Sequence, residues 1–136
     1  MKRMHAVLLG AVAVAVGLAA PAQARNLKRI AKAPGNAIVL LDLDTIKAVR
    51  LDGRTLHEAV VSTVNLGDPL PGQQAGTDSQ FQVDCATGAY RVVWTNVFDR
   101  DRKLINTERS MAPRPLAIKP PKSFERRVVD AICAQR

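Results

Sequence analysis

The chain carries two cysteines, Cys85 and Cys133, so one intramolecular pairing is available to it. Whether they pair depends on the compartment, because thiols are oxidised outside the cytosol and kept reduced within it. Met1-Lys2-Arg3-Met4-His5 is followed by Ala6 to Ala20 without a polar side chain, and then by Pro21-Ala22-Gln23-Ala24. These are the charged, apolar and small-residue regions of a secretory signal, with cleavage expected after Ala24. The apolar run of 15 residues is shorter than the roughly 18 to 20 that cross a bilayer as a helix. No cysteine follows the small residues to accept a lipid. The expectation is a soluble periplasmic or secreted domain with no stable membrane span, in which Cys85 and Cys133 form a disulfide. Free thiols or pairing between molecules are the alternatives. Closing a loop of about 48 residues contributes on the order of 4 kcal/mol in the chain-entropy picture.

Removing residues 1–24 from the 136 leaves 112, one ordinary domain that buries roughly 60–68% of its unfolded surface. The mature chain keeps 18 of the 20 basic residues and all 12 acidic ones. They are unevenly placed: residues 91–136 hold 11 basic and 5 acidic side chains, residues 33–90 only 3 and 7. A basic surface of this kind either meets an anionic partner or simply keeps the protein soluble.

Residues 25–36 are basic and end in Pro34-Gly35-Asn36, which reads as a mobile lead-in before a single domain over 37–136. Val39, Leu41 and Leu43 alternate with Asp42 and Asp44, the period of a half-buried strand with the two carboxylates on its exposed face. Thr45 and Ile46 then lead into a turn. Asp52-Gly53 signals a type I′ hairpin turn, and the return strand, about Arg54 to Leu66, is rich in β-branched residues. Gly67 to Gly76 contains three glycines and two prolines and reads as a loop. Phe81, Val83 and Cys85 share one strand face, and Tyr90, Val92, Trp94 and Phe98 share a face of the next, which is expected to be the centre of the core. A last strand runs near Lys103 to Arg109, and Pro113, Pro115, Pro120 and Pro121 exclude regular structure after it. Ser123 offers an N-cap to a helix with Phe124, Val128, Ala131 and Ile132 on one side. The fold class is α+β: an antiparallel β-sheet of five or six strands with one C-terminal α-helix packed on it.

No catalytic constellation has specific spacing. His57 is the only histidine after residue 24 and reads as an ordinary strand residue. Zinc takes about four ligands, more than Cys85, Cys133 and His57 provide, and no phosphate-cradling glycine loop occurs. The expectation is a non-enzyme without cofactor or metal. Arg91, Arg100, Arg102, Lys103 and Arg109 cluster around the last hairpin, and Arg126 and Arg127 add charge from the helix. Together they are expected to form a basic partner-binding surface for a protein, an anionic glycan or an envelope component. Nucleic acid fits poorly, because the export signal separates the chain from it and the aromatic residues are expected to face inward.

The ordered elements resemble the surface-adhesin protein E family of bacterial envelope proteins over about residues 37 to 134. The markers are the first strand running into Asp44-Thr45-Ile46, Asp84-Cys85 leading to Arg91, the Phe98-Asp99 turn, and Pro121-Lys122-Ser123 with Cys133 ten residues beyond Ser123. The resemblance implies the same sheet and helix, the Cys85–Cys133 bridge, and adhesion to host matrix and plasma proteins, with no catalytic residues. The family's named member is lipid-anchored, whereas this chain has no lipidation cysteine. The functional expectation is an exported, adhesin-like binding protein, with a structural or assembly accessory of the envelope, or an inhibitor of a secreted hydrolase, as the alternatives.

Overall fold

The computed structural model describes residues 25–33, 35–109, 117–118 and 123–135. The signal-like segment and Pro113, Pro115, Pro120 and Pro121 lie outside them. Seven strands and a helix follow in chain order: β1 (Leu27–Ala33), β2 (Ala37–Leu51), β3 (Arg54–Asn65), β4 (Gly76–Asp84), β5 (Ala89–Phe98), β6 (Leu104–Arg109), β7 (Ala117–Ile118) and α1 (Phe124–Cys133). β1 to β6 form one antiparallel meander in sequence order, and the two-residue β7 pairs with Ala89 and Tyr90 of β5. The α+β architecture expected from the sequence is the one observed.

Each reversal has a local cause. Asp52 and Gly53 both take positive φ, 50° and 72°, as a type I′ turn requires. At the β4–β5 turn the backbone N–H groups of Thr87 and Gly88 donate to the Asp84 carbonyl. Before β6, the buried Asp99 carboxylate accepts from the N–H groups of Asp101 and Lys103, both at 2.9 Å. Ser123 caps α1 by accepting from the N–H of Arg126.

The segment read as a mobile lead-in is in fact mostly strand. β1 pairs with β2 from Leu27↔Asp42 to Ala33↔Ala37. Its basic side chains hid the strand signal, since an edge strand with exposed Lys28, Arg29 and Lys32 tolerates charge without alternation. Thr45 and Ile46 likewise make a bulge and not a turn. Register passes from Asp42↔Val60 to Lys47↔Glu58, and the Thr45 hydroxyl fills the gap, accepting from the Val60 N–H at 2.8 Å and donating to the Asp42 carbonyl at 2.7 Å.

A second bulge corrects the expected core. Gln80 opposes Trp94 but Phe81 opposes Val92, so Val93 is one residue too many on β5. An extra residue in a period-2 strand exchanges the faces of everything beyond it. Tyr90 and Val92 therefore point to the helix side, while Trp94 and Phe98 point away. The core consists of Val39, Leu41, Ala59, Val61, Phe81, Val83 and Tyr90 under Val128, Val129 and Ile132 of α1. Phe81 and Tyr90 stack with ring centroids 5.9 Å apart.

Cys85 and Cys133 form the disulfide, with Cα atoms 5.6 Å apart. It ties the end of β4 to the last turn of α1. Replacing both cysteines by serine is expected to lower unfolding free energy by about 3–4 kcal/mol, from the loop of 48 residues that the bond closes. Urea unfolding of the two forms checks this. Ile132→Ala, which empties a fully buried site, is expected to cost about 3 kcal/mol in the same assay.

Candidate functional site

The sheet has two unlike faces. One carries the apolar core and α1. On the other, which no described element covers, directly opposed residues share the surface and run in rows across the strands. One row is Leu40, Ser62, Asp78, Asn96 and Thr107; the next is Asp42, Val60, Gln80, Trp94 and Arg109; a third is Lys47, Glu58, Gln82 and Arg91.

The acidic groups in these rows are neutralised within the sheet. Asp42 accepts from Arg25 Nε at 2.9 Å, and the same guanidinium donates to Ser62 Oγ at 3.0 Å. Ser62 in turn donates to Asp78, whose carboxylate also faces Arg25 at 3.6 Å and Arg102 at 3.4 Å. Glu58 accepts from the Gln82 carboxamide at 2.6 Å and the Gln80 carboxamide at 3.2 Å, with Lys47 Nζ at 3.5 Å. Gln82 passes the chain on by accepting from Arg91 Nε. Asp42, Glu58, Ser62 and Gln82 are all buried, and each is satisfied, as buried polar groups must be.

Asp42 was expected on an exposed strand face beside Asp44. Only Asp44 is exposed. The bulge at Thr45 separates the pair, and Asp42 turns under Arg25, a residue that nothing in the sequence linked to it. His57 lies on the opposite face between Ala48 and Val83. Its Nδ1 is buried without a hydrogen-bond partner, beside a shallow hollow lined by Arg54, Asp84 and Cys85. Among the described residues no group of three or more His, Cys, Asp or Glu side chains is placed to hold a metal ion.

The seven basic residues singled out from the sequence do not form one surface. Arg91 and Arg109 lie on the uncovered face, and Arg102 joins them from the β5–β6 turn, its guanidinium 4.4 Å from the centre of the Phe98 ring. Arg100 and Lys103 are exposed in that turn. Arg126 and Arg127 belong to α1 on the other side of the sheet, where Arg126 pairs with Asp130 at 3.1 Å and packs over Gly88. Arg100, Lys103, Arg109 and Arg127 make no ion pair with any described residue. Trp94, the only tryptophan of the chain, stands half-buried on the uncovered face, one strand in from the β6 edge. This placement was not legible beforehand, because the Val93 bulge has no signature in residue type.

Glu58→Ala would leave the buried Gln82 carboxamide without its acceptor. An unfolding free energy lower by about 2 kcal/mol is expected, measured by urea titration, with a smaller loss for Glu58→Gln, which keeps an acceptor in place.

Comparison with protein-family models, with curated proteins and with solved structures finds no match to this chain, so its functional reading rests on its own residues.

Proposed function

We propose that this is an exported, non-catalytic binding protein, adhesin-like in character, that meets an anionic partner on the uncovered face of its sheet. The observation that carries the reading is the placement of Arg91 and Arg109, neither of them paired with a described carboxylate, on one face whose own carboxylates are already tied to neighbours. An approaching anion meets donors there, while Asp42, Glu58 and Asp78 are held by Arg25, Lys47, Arg102 and the carboxamides. Arg100 and Lys103 extend the positive rim.

Export is supported by the three-part signal pattern of residues 1–24 and is compatible with the Cys85–Cys133 bond. The partner surface is narrower than the sequence suggested, because α1 carries Arg126 and Arg127 to the far side.

Two measurements test the proposal. Intact mass of protein recovered from periplasm and medium is expected to start at Arg25, with no thiol open to alkylation before reduction; retention of residues 1–24 or free thiols would remove the basis for export. Protein applied to immobilised heparin is expected to be retained and to elute with salt, since contacts between exposed charges are screened over about 10 Å at 0.1 M. Substitution of Arg100, Lys103 and Arg109 by alanine should lower the eluting salt concentration, and Arg127→Ala should not. Equal effects from both would place the partner elsewhere.

A further inference from the structure

We infer that Trp94 is a stacking platform for a sugar ring, and that the anionic partner of the uncovered face is an acidic polysaccharide whose carboxylate or sulfate groups are taken by Arg109 and Arg91. The inference deepens the binding reading above and rests on it.

The argument begins with the Val93 bulge. Without it, Trp94 would follow Tyr90 and Val92 onto the helix side, where apolar area is covered. The bulge turns the ring instead onto a face that no described element covers, between Gln80 of β4 and Arg109 of β6. Strands in a sheet are about 4.8 Å apart, so a carboxamide and a guanidinium flank the indole at the spacing of one neighbouring strand on each side. An indole face is electron-rich and attracts the polarised C–H groups of a pyranose, while its width matches one ring. The guanidinium fork accepts a carboxylate or sulfate in bidentate fashion.

Both arginines have donors left. The Arg109 guanidinium makes no ion pair or hydrogen bond with a described residue, and the bond that Arg91 makes to Gln82 uses Nε alone. Gln80 donates from Nε2 to Glu58, which leaves its carbonyl oxygen as an acceptor for a hydroxyl. Neighbouring carboxylates do not oppose an anion, because each is paired. A single-stranded nucleic acid would need successive aromatic faces for successive bases. Here the other aromatic residue of this face, Phe98, is covered by Arg102, which leaves one ring, that of the half-buried Trp94, enough for a sugar unit and not for a run of bases.

Trp94 is the sole tryptophan, so its fluorescence reports the site directly. Titration of the protein with heparin-derived oligosaccharides and with oligogalacturonate is expected to shift and quench the emission to saturation. Arg109→Ala, a change at an exposed position, should weaken that binding by about tenfold, the effect of one lost charge-assisted contact, and leave far-ultraviolet circular dichroism unchanged. Trp94→Phe, followed by calorimetry, should weaken it as well, while Arg127→Ala should not. Several results would overturn the inference. Salt-sensitive binding that leaves the Trp94 emission unmoved would keep an anion-binding face and remove the sugar platform. Polyphosphate or single-stranded DNA matching the oligosaccharides in emission change and affinity would show charge or base stacking in place of sugar recognition. No binding of any polyanion would overturn this inference and the binding reading together.

Discussion

The contact between α1 and the sheet is what the rest of the structure depends on. A ten-residue helix is marginal in water. It persists here because Val128, Val129 and Ile132 are removed from solvent against Val39, Leu41, Val61 and Val83. The sheet needs the helix equally, since without it one face would expose its apolar side chains. The disulfide holds the two together at the end of β4, and Ser123 fixes the start of the helix, so both ends of α1 are anchored. The helix packs chiefly on β1 to β4. Beyond that reach, on the outer half of β5 and on β6, apolar cover runs out, and there the Val93 bulge exchanges the faces of the strand.

The uncovered face is held by a different physics. Arg25, Asp42, Ser62, Asp78 and Arg102 form one chain of charged and polar contacts, and Lys47, Glu58, Gln80, Gln82 and Arg91 form another. Ion pairs taken out of water recover little more than their desolvation cost, so their contribution to stability is modest. Their effect on register is larger. A slip of one residue between β3 and β4 would set Glu58 against an apolar neighbour and leave both carboxamides without their acceptor.

Much of this was legible in the sequence wherever a local rule decided the outcome. Asp52-Gly53 marked its turn because few residue pairs take two positive φ values, Ser123 and the spacing of Val128 and Ile132 marked the helix, and two cysteines behind a signal-like start marked the bond. The rest depended on events that residue type does not encode. Arg25 to Ala33 looked like a tail because strand pairing at a charged edge is decided by the partner strand. Asp42 looked exposed because alternation was assumed to continue through Thr45. Trp94 looked central because the period of two was carried across Val93. The make-up of the uncovered face was mostly hidden for the same reason: Arg91 and Arg109 stood out as charges, but which side of the sheet each occupies follows from the bulge.

That bulge also bears on how such a chain changes over time. Substitution at Trp94 alters what the face presents, whereas loss of the codon for Val93 would remove the bulge and leave both faces as they are, because Trp94 would then follow Val92 directly and still stand opposite Gln80. Thr95 and Val97 would stay on the helix side, and Trp94, Asn96 and Phe98 on the open one. The sheet pairing could survive, since the backbone ladder is indifferent to which side chain it carries. In this part of the protein a bulge thus absorbs a change of length, and two chains that differ by one residue could present the same faces.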